Sequence, residues 1–520
     1  MTALTKPVLI AGAGPVGLMT ALACKFYRLP FVLLEEDASF SSDTKAGTIL
    51  TRTIEAFQRY GVAESVLGSA LRVDLIGEFE RETNLPRNFV DLAAISEETR
   101  FPFVLNMPQN HLEPVLAQGM ADMPEGAIHL RHRVTGFRDT GEGVQVSVET
   151  PDGPKTFEGS YLVACDGGRS QIREALGIVV EGKTLDVRYM LVDIQVDLDA
   201  ENPRDYPYLA YFSDPHEWMI LVRQPHCWRF LFPLEAGVEE QTPAQLEAKV
   251  RHFIGDVKQL EVINTITYRV HHRVATRWRN GRVFLAGDAA HLITPMWALG
   301  MNTGVLDSIS LPWRLAWVAR GWADPSLLDG YEREQKPLAV HGSGEMAEAG
   351  RARMGGDRTA VNDGSAWAFA MTRSLLGVRL DLEGTGDWSI VAREKLPLRV
   401  GDRVADRRLL NGEGGETWVH DLCNDSFAAL CFADVRRRPK LPELELPGIR
   451  SWVISRWDAP LDSGLRPQAL LDLAGGFQRN AGIPDDCIVL LRPDDHVAAI
   501  LPIDETALRD AYLAATGRRA

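Results

Sequence analysis

Cysteine is scarce in this sequence, and its six residues are scattered without any Cys-x-x-Cys pair: Cys24, Cys165, Cys227, Cys423, Cys431 and Cys487. A disulfide framework or a structural zinc site needs cysteines in paired or clustered spacing. We therefore predict reduced, mostly buried thiols, no metal site and a cytoplasmic protein.

Long apolar runs and an excess of positive charge are also missing. No stretch of about twenty uninterrupted apolar residues occurs, which argues against a membrane-spanning helix. Residues 1–7 lead straight into an apolar strand pattern, so we expect no signal peptide. The net charge of −15 disfavours nucleic acid, whose binding needs a concentrated basic surface. The length of 520 residues and the ordinary globular composition allow several domains.

A glycine-rich turn follows the first strand pattern. The apolar run 8–11 precedes Gly12-Ala13-Gly14-Pro15-Val16-Gly17, and helical spacing then continues to Phe26. A second apolar run, 31–34, ends at Glu35. In this context the glycines permit a tight turn, close approach of a pyrophosphate and close helix packing, and the acid binds a ribose. A purely structural turn is the alternative, but the full context favours dinucleotide binding.

Two further strand patterns end in an acid beside glycine. Tyr161-Leu-Val-Ala-Cys-Asp166-Gly-Gly-Arg169-Ser170 runs from an apolar strand into a helix start. Later, an apolar run ends at Gly287-Asp288, and the turn Gly300-Met301-Asn302-Thr-Gly opens a helical pattern over 305–320. Such an acid accepts hydrogen bonds from a sugar, and the free amides of a helix start face an electron-rich group. These blocks indicate a site for a phosphorylated cofactor.

The pattern changes to β-rich alternation between about residues 185 and 275. Several runs there carry aromatic residues, including Tyr211-Phe and Trp218-Met-Ile-Leu-Val-Arg223. These side chains form either one wall of an aromatic-substrate pocket or an ordinary core, and the sequence leaves both open. From about Arg399 onwards, alternating strand and helix patterns predict a small α/β domain.

In this order, the three blocks resemble the single-component FAD-dependent aromatic hydroxylases, the flavoprotein monooxygenases related to para-hydroxybenzoate hydroxylase and phenol hydroxylase. The resemblance implies an α/β fold with a discontinuous Rossmann-like FAD-binding domain over 1–184 and 276–395. A β-sheet substrate domain over 185–275 would interrupt it. Residues 396–520 resemble the thioredoxin-like domain of the phenol hydroxylase branch, without its redox cysteines.

The resemblance also implies the cofactor contacts. In this family pattern Glu35 would bind the adenosine ribose, Asp288 the ribityl chain, and the amides of residues 300–302 the flavin pyrimidine ring. Lys45 would lie near the pyrophosphate, Gln109 on the flavin side and Val134 by the adenine, while Asp166 and Arg169 would handle FAD and the pyridine nucleotide. The full implied set is Gly12, Ala13, Gly14, Pro15, Val16, Gly17, Glu35, Glu36, Lys45, Ala46, Gln109, Val134, Asp166, Arg169, Asp288, Gly300, Met301 and Asn302.

The implied reaction uses FAD, NADH or NADPH, and O2. A flavin hydroperoxide would transfer its distal oxygen to a phenolic or other electron-rich ring. Pro295 would present its carbonyl near the reacting carbon. The segment Tyr211-Phe-Ser-Asp-Pro215 resembles the family's substrate-contacting strand, so Tyr211 is the candidate for a hydrogen bond to the substrate phenol. Arg223 is a candidate for pairing with an anionic substituent, and His291 is better explained as a helix-start or packing residue.

Two residues depart from the family pattern. Trp297 stands where small, glycine-rich residues are usual, and a bulky indole close to the flavin would narrow the pocket. Glu36 stands where several members carry a basic residue, and its carboxylate would repel the 2′-phosphate of NADPH. We therefore hypothesise a preference for NADH, which a much higher kcat/KM with NADPH would contradict.

Three alternatives stay open at this point. The substrate is a small phenol or a larger polycyclic, polyketide-like aromatic compound. A non-hydroxylating flavin oxidoreductase on the same fold, or a flavin-binding or partner-binding relic of a hydroxylase, would also fit the motifs. We further expect a homodimer, with the C-terminal domain in a structural role.

Overall fold

The computed structural model describes residues 6–42, 44, 47–124, 126–198, 205–235, 237–238, 241–255, 257–355, 379–386, 397–437, 440, 442, 444–457, 464 and 466–518. Strands in this part of the chain form five sheets, and the protein has a mixed α/β fold. No helix in these ranges is long and apolar enough to cross a membrane. All six cysteines are free, and five of them are buried.

The four central strands of a six-stranded, mostly parallel sheet are short, apolar and mostly buried. Strands that are buried on both faces are apolar throughout, which explains the uninterrupted runs seen in the sequence. Its order is Arg279–Asn280, Val283–Leu285, Tyr161–Ala164, Val8–Ala11, Phe31–Leu34 and Ile128–His129, and only the first strand is antiparallel to its neighbour.

Two helices pack against each other beside this sheet. Helix Pro15–Phe26 begins with a proline whose missing amide hydrogen costs nothing in the first turn. Helix Leu299–Ala319 is buried on nearly all sides, as expected for a helix that is apolar all round. It begins at Leu299 instead of the predicted residue 305, because glycines and an asparagine hide its first turn from a propensity argument.

The other α-helices lie around the sheets. They are Thr51–Arg59, Ala63–Leu67, Gln109–Gln118, Gln171–Ala175, Pro243–Ile254, Asp329–Pro337, Glu345–Met354, Val419–Cys423, Gly476–Asn480 and Glu505–Ala515. A π-helix, Leu338–Gly344, joins two of them, and short 3₁₀ turns include Gly287–Ala289 and Met296–Ala298.

A large, mostly antiparallel sheet has two differently packed faces. Its order is His291–Leu292, Glu261–Ala275, Val180–Gln195, Trp228–Leu234, Met219–Arg223, Leu209–Ser213, Leu75–Glu80 and Pro86–Asp91. One face, with Tyr189, Leu191 and Tyr211, joins the core of the parallel sheet. The other face forms a separate core with helix Pro243–Ile254. Since strands 75–91 belong to this sheet, part of the first predicted domain is built into it; the domain boundaries stay a prediction.

A seven-stranded mixed sheet occupies the C-terminal part, in the order Glu416–Trp418, Arg408–Asn411, Ala469–Leu471, Ile449–Ser455, Phe427–Phe432, Cys487–Leu491 and Val497–Pro502. Phe427 packs edge-on against Trp313 of the long helix at 5.8 Å between ring centroids. Two small sheets complete the fold: Gly153–Gly159, Val144–Thr150 and Arg133–Asp139; and Thr48–Ile49, Val104–Asn106 and Leu71–Val73.

Candidate active site

Four turns of chemical interest meet at one edge of the parallel sheet. The strands that begin at Val8, Phe31, Tyr161 and Val283 are mutually parallel, so their carboxyl ends share this edge. In chain order, those ends carry the glycine turn 12–17, Glu35, Asp166 and Gly287-Asp288. Open α/β sheets bind ligands at this edge.

The glycine turn has two residues fixed by the protein and one that faces open space. Gly12 has a φ of +101°, and an added Cβ would lie 2.4 Å from the Cys165 carbonyl oxygen. A Cβ on Gly17 would lie 1.9 Å from the Gly12 oxygen. No described atom lies within 4 Å of a Cβ built on Gly14. The open side at Gly14 therefore suits a phosphate group that approaches the backbone.

Glu35 ties the second strand end to the glycine turn. Its Oε2 accepts a hydrogen bond from the Ala13 amide at 2.5 Å, and its Oε1 accepts one from the Asp37 amide at 3.0 Å. The exposed Glu36 follows it and lines a surface cavity of about 450 Å³ with Arg131 and other polar residues. The carboxylate of Glu35 is thus fixed beside the glycine turn by two backbone amides.

Asp166 has an unused buried oxygen. Its Oδ2 accepts a hydrogen bond from the Ile172 amide at 3.2 Å, whereas its Oδ1 is buried without a hydrogen-bond partner among the described residues. Burial raises the pKa of this carboxyl group. Arg173 joins the same turn to the Gly-Asp turn, donating to the Ala289 carbonyl oxygen at 3.1 Å. The exposed Arg169 lies on this turn as well.

The turn Gly287-Asp288 is stabilised by Asp307, a residue that was not predicted from the sequence. Asp307 Oδ2 accepts a hydrogen bond from the Gly287 amide at 2.7 Å and lies 2.9 Å from His291 Nε2. His291 is buried and stacks on Trp278 at 5.1 Å, so it supports the fold of this turn. Asp288 is exposed at the turn itself. A lone acid within a buried, apolar helix was the available signal for Asp307.

The side chain of Asn302 fixes the start of the long helix. Its Oδ1 accepts hydrogen bonds from the Leu50 amide at 2.9 Å and the Thr53 hydroxyl at 2.7 Å. Its Nδ2 donates to the Ala298 carbonyl oxygen at 2.7 Å. The side chain is therefore committed to the protein, while the first-turn amides around Gly300–Met301 have no partner within the helix.

Trp297 lies between this helix start and the large sheet. Trp297 and Ala298 both have left-handed backbones, with φ of 59° and 56°, which is costly for residues other than glycine. The indole is buried and lies 3.8 Å from the Tyr211 ring, measured between centroids. A Cβ on Gly350, in helix Glu345–Met354, would lie 1.9 Å from the indole nitrogen. The absence of a side chain at Gly350 makes room for Trp297.

Tyr211 belongs to an aromatic face of the large sheet. Tyr189 packs edge-on against Trp218 at 4.9 Å and contacts Tyr268 at 6.1 Å. Burial raises the pKa of Tyr211 well above the usual value for tyrosine. Its hydroxyl therefore stays protonated and is suited to donate a hydrogen bond.

The structure places Arg223 and Tyr211 on opposite faces of the sheet, so it does not bring these two predicted residues together; a role for Arg223 in pairing with an anionic substituent stays a prediction. Tyr211 pairs with Ile220, and alternation along the strand puts Arg223 on the opposite face. There the guanidinium lies 5.7 Å from the Trp228 ring centre and donates to the Cys227 carbonyl oxygen at 3.2 Å. Arg223 stabilises its own hairpin turn.

A different arginine occupies the Tyr211 face. Arg229 forms a buried ion pair with Asp193, at 2.8 Å from Nε to Oδ1, and also donates to the Thr44 carbonyl oxygen. The neighbouring Gln224 donates to the Gly47 carbonyl oxygen at 3.1 Å. These bonds hold both ends of the polar connection at 44–47 against the sheet.

The remaining predicted residues fall in less informative places. Lys45 and Ala46 lie outside the described residues. Gln109 begins helix Gln109–Gln118 and donates to the carboxylate four residues on at 2.8 Å. Val134 lies in strand Arg133–Asp139 and packs against the main core. The Pro295 carbonyl oxygen accepts a weak hydrogen bond from the amide three residues on, at 3.4 Å.

Together, the sheet, the glycine turn and the acids at its edge define a dinucleotide-binding α/β protein. A protein-family model described as an FAD binding domain matches residues 5–341, which is more than half of the chain. The chain therefore belongs to this FAD-binding family, that of the flavoprotein monooxygenases whose motifs it resembles.

The chain is similar to several proteins that are named as monooxygenases or hydroxylases. Para-nitrophenol 4-monooxygenase of Pseudomonas sp. (strain WBC-3) is 28% identical over 348 residues, covering 66% of this chain and 85% of that protein. The 12-dehydrotetracycline 5-monooxygenase/anhydrotetracycline 6-monooxygenase of Streptomyces rimosus subsp. rimosus is 32% identical over 350 residues, covering 64% and 67%. The crystal structure of aklavinone-11 hydroxylase with FAD and aklavinone has a TM-score of 0.82 at 25% identity and covers 100% of both chains.

Proposed function

We propose that the protein uses FAD, NAD(P)H and O2 to hydroxylate a phenolic or other electron-rich aromatic compound. The proposal rests on one observation: aromatic side chains of the large sheet lie next to the helix start at which the flavin would bind. Tyr211 and Trp297 lie 3.8 Å apart between ring centroids, and Trp297 directly precedes the helix start at 299–302. A phenol packed against this pair of rings would be close to a flavin bound at that helix start.

The residues present fit FAD. Gly14 leaves space in which a pyrophosphate would fit, Glu35 would bind a ribose, and Asp288 would hold the ribityl chain. The amides of the helix start around Gly300 and Met301 would stabilise negative charge on the ring. When bound, FAD supplies the electron transfer from NAD(P)H to oxygen.

Within the substrate pocket, the roles fall to aromatic side chains. Tyr211 would donate its hydroxyl hydrogen to the substrate oxygen, orienting the ring and favouring the electron-rich phenolate. Trp297 and the aromatic face would exclude water, which otherwise diverts the reaction to hydrogen peroxide. Glu36 favours NADH over NADPH, because its exposed carboxylate would repel a 2′-phosphate.

A polycyclic substrate is the second candidate. It is favoured by the full-length likeness to the aklavinone complex, since the nitrophenol enzyme matches only 66% of this chain. A homodimer is also proposed, and a monomeric mass by light scattering would contradict it.

The test is NAD(P)H oxidation by the purified holoenzyme in air, with phenols, hydroxybenzoates and polycyclic phenols as candidates. We expect one class to accelerate the oxidation and to yield a product heavier by one oxygen atom. If oxidation proceeds without any oxygenated product in every class, the protein is a non-hydroxylating flavin oxidoreductase.

A further inference from the structure

We propose that the C-terminal turn Arg492–His496 positions the flavin end of the FAD site, which is the helix start at residues 299–302. The turn itself lies outside that site. The inference rests on the placement of the flavin beside residues 300–302 given above. It assigns a function to the C-terminal part that needs no redox cysteines.

Asp495 inserts a buried carboxylate between two arginines of helix Thr51–Arg59. Its Oδ2 accepts a hydrogen bond from Arg52 Nη1 at 2.6 Å, and its Oδ1 pairs with Arg59. The backbone of the same turn also takes part, since the Asp494 carbonyl oxygen accepts from Arg52 at 2.9 Å. Asp495 is fully buried, so this contact lies inside the molecule. We call the contacts between the turn Arg492–His496 and helix Thr51–Arg59 the joint.

Helix Thr51–Arg59 is in turn bound to the start of the long helix. Asn302 Oδ1 accepts hydrogen bonds from the Leu50 amide and the Thr53 hydroxyl, the residues on either side of Thr51 and Arg52. Two consecutive sets of hydrogen bonds therefore connect Asp495 to Asn302. The bonds to Asn302 come from a backbone amide and from the short side chain of Thr53, so flexible long side chains take no part in them.

The same turn also contacts the body of the long helix. Trp313 Nε1 donates to Asp494 Oδ2 at 3.1 Å, and Arg492 pairs with Glu334 at 2.7 Å. Glu334 pairs with Arg314, the neighbour of Trp313. Both helices that define the flavin end are thus fastened to one turn.

Burial of these charges makes the joint specific. Burial by itself would raise the pKa of Asp495, but Arg59, His420 and Arg52 lower it, so the carboxylate remains ionised. Moving the turn away would leave Arg59 buried without its partner Asp495, and Arg52 paired with Glu55 alone, which is strongly unfavourable. The joint therefore has one favourable geometry, and that geometry sets the first-turn amides that would face the flavin.

Asp495→Asn removes the charge and keeps the shape. Its matched control is Asp425→Asn, which removes a half-exposed carboxylate paired with Arg450 at 3.0 Å in the same part of the chain. Measured on the full chain well below the melting temperature, Asp495→Asn should raise the Kd for FAD by about 5- to 20-fold. At saturating FAD it should also shift the visible spectrum and the reduction potential of the bound flavin. Unchanged values for all three would overturn the proposal.

Asn302→Ala tests the placement of the flavin independently of the role proposed for the C-terminal turn. If Asn302→Ala leaves the FAD Kd and spectrum unchanged, the placement itself is wrong. If Asn302→Ala changes them while Asp495→Asn does not, only the positioning role fails. We expect the double variant to be clearly less affected than the product of the two single effects, because both act through helix Thr51–Arg59.

Arg52→Lys tests the same contact if Asp495→Asn does not fold. It keeps the positive charge but loses the two-pronged contact with the turn. The same increase in FAD Kd and the same spectral shift are expected. A lower melting temperature with an unaltered flavin spectrum would show that the joint only stabilises the fold, and would overturn the proposal.

Discussion

Tyr211 is the residue whose side chain we expect to contact the substrate oxygen. Its raised pKa keeps the hydroxyl protonated, so ionisation of Tyr211 should cause no loss of rate up to about pH 10. Tyr211→Phe should slow hydroxylation by about tenfold or more, the usual effect of losing a hydrogen bond to a charged group. The share of NAD(P)H diverted to hydrogen peroxide should rise. Unchanged coupling would contradict the role, and Tyr206→Phe, in the opposite core, is the control.

Gly350 is expected to control the position of Trp297. Gly350→Ala would bring a methyl group to within 1.9 Å of the indole nitrogen, so the ring must move towards the substrate space. KM values across the aromatic panel should increase by about tenfold for the largest substrates that are accepted. The double variant with Trp297→Leu should recover them, because the smaller side chain removes the clash. A variant with the same KM values as the wild type would show that the indole does not border the pocket.

At the scale of elements, the glycine turn offers a test of cofactor contact that is separate from folding. Gly14 has a φ of −66°, which alanine adopts readily, and its Cβ would meet no described atom. Gly14→Ala should therefore keep the melting temperature and raise the FAD Kd by about tenfold. Gly12→Ala, strained at a φ of +101° and blocked by Cys165, should lose stability first. If Gly14→Ala binds FAD with the same Kd as the wild type, the pyrophosphate does not bind at this turn.

Local elements could be predicted from the sequence, and their long-range partners could not. The strand, glycine turn and following helix at residues 8–26 are encoded by adjacent residues, and the structure has them as a strand and a helix. Asn302, by contrast, bonds Leu50, 252 positions away, and no spacing rule reaches that far. The face of the sheet on which Arg223 lies could not be predicted for a related reason. That face follows from alternation only once the pairing of its strand with Tyr211 is known.

At the scale of the whole molecule, the contacts between helix Thr51–Arg59 and the C-terminal part should be sensitive to acid, because Glu55 pairs there with Arg52 and Arg403. Burial by itself would raise the pKa of Glu55, but Arg403, His420 and Arg52 lower it to about 2. A glutamate in the unfolded chain titrates near pH 4.3. Because the folded pKa is the lower one, the stabilisation is complete above about pH 4.3 and is lost as the pH falls towards 2.

We therefore expect the free energy of unfolding, measured by urea titration, to decrease steeply between about pH 4.3 and pH 2. FAD should dissociate in the same range, because the contacts of Glu55 hold helix Thr51–Arg59, which is bound to the helix start that is proposed to face the flavin. Glu55→Gln should flatten this pH dependence, since the group no longer titrates, while lowering stability at neutral pH. Glu416→Gln, which alters a half-exposed pair with Arg408, should leave the slope unchanged. An unchanged slope in Glu55→Gln would place the acid-sensitive group elsewhere in the molecule.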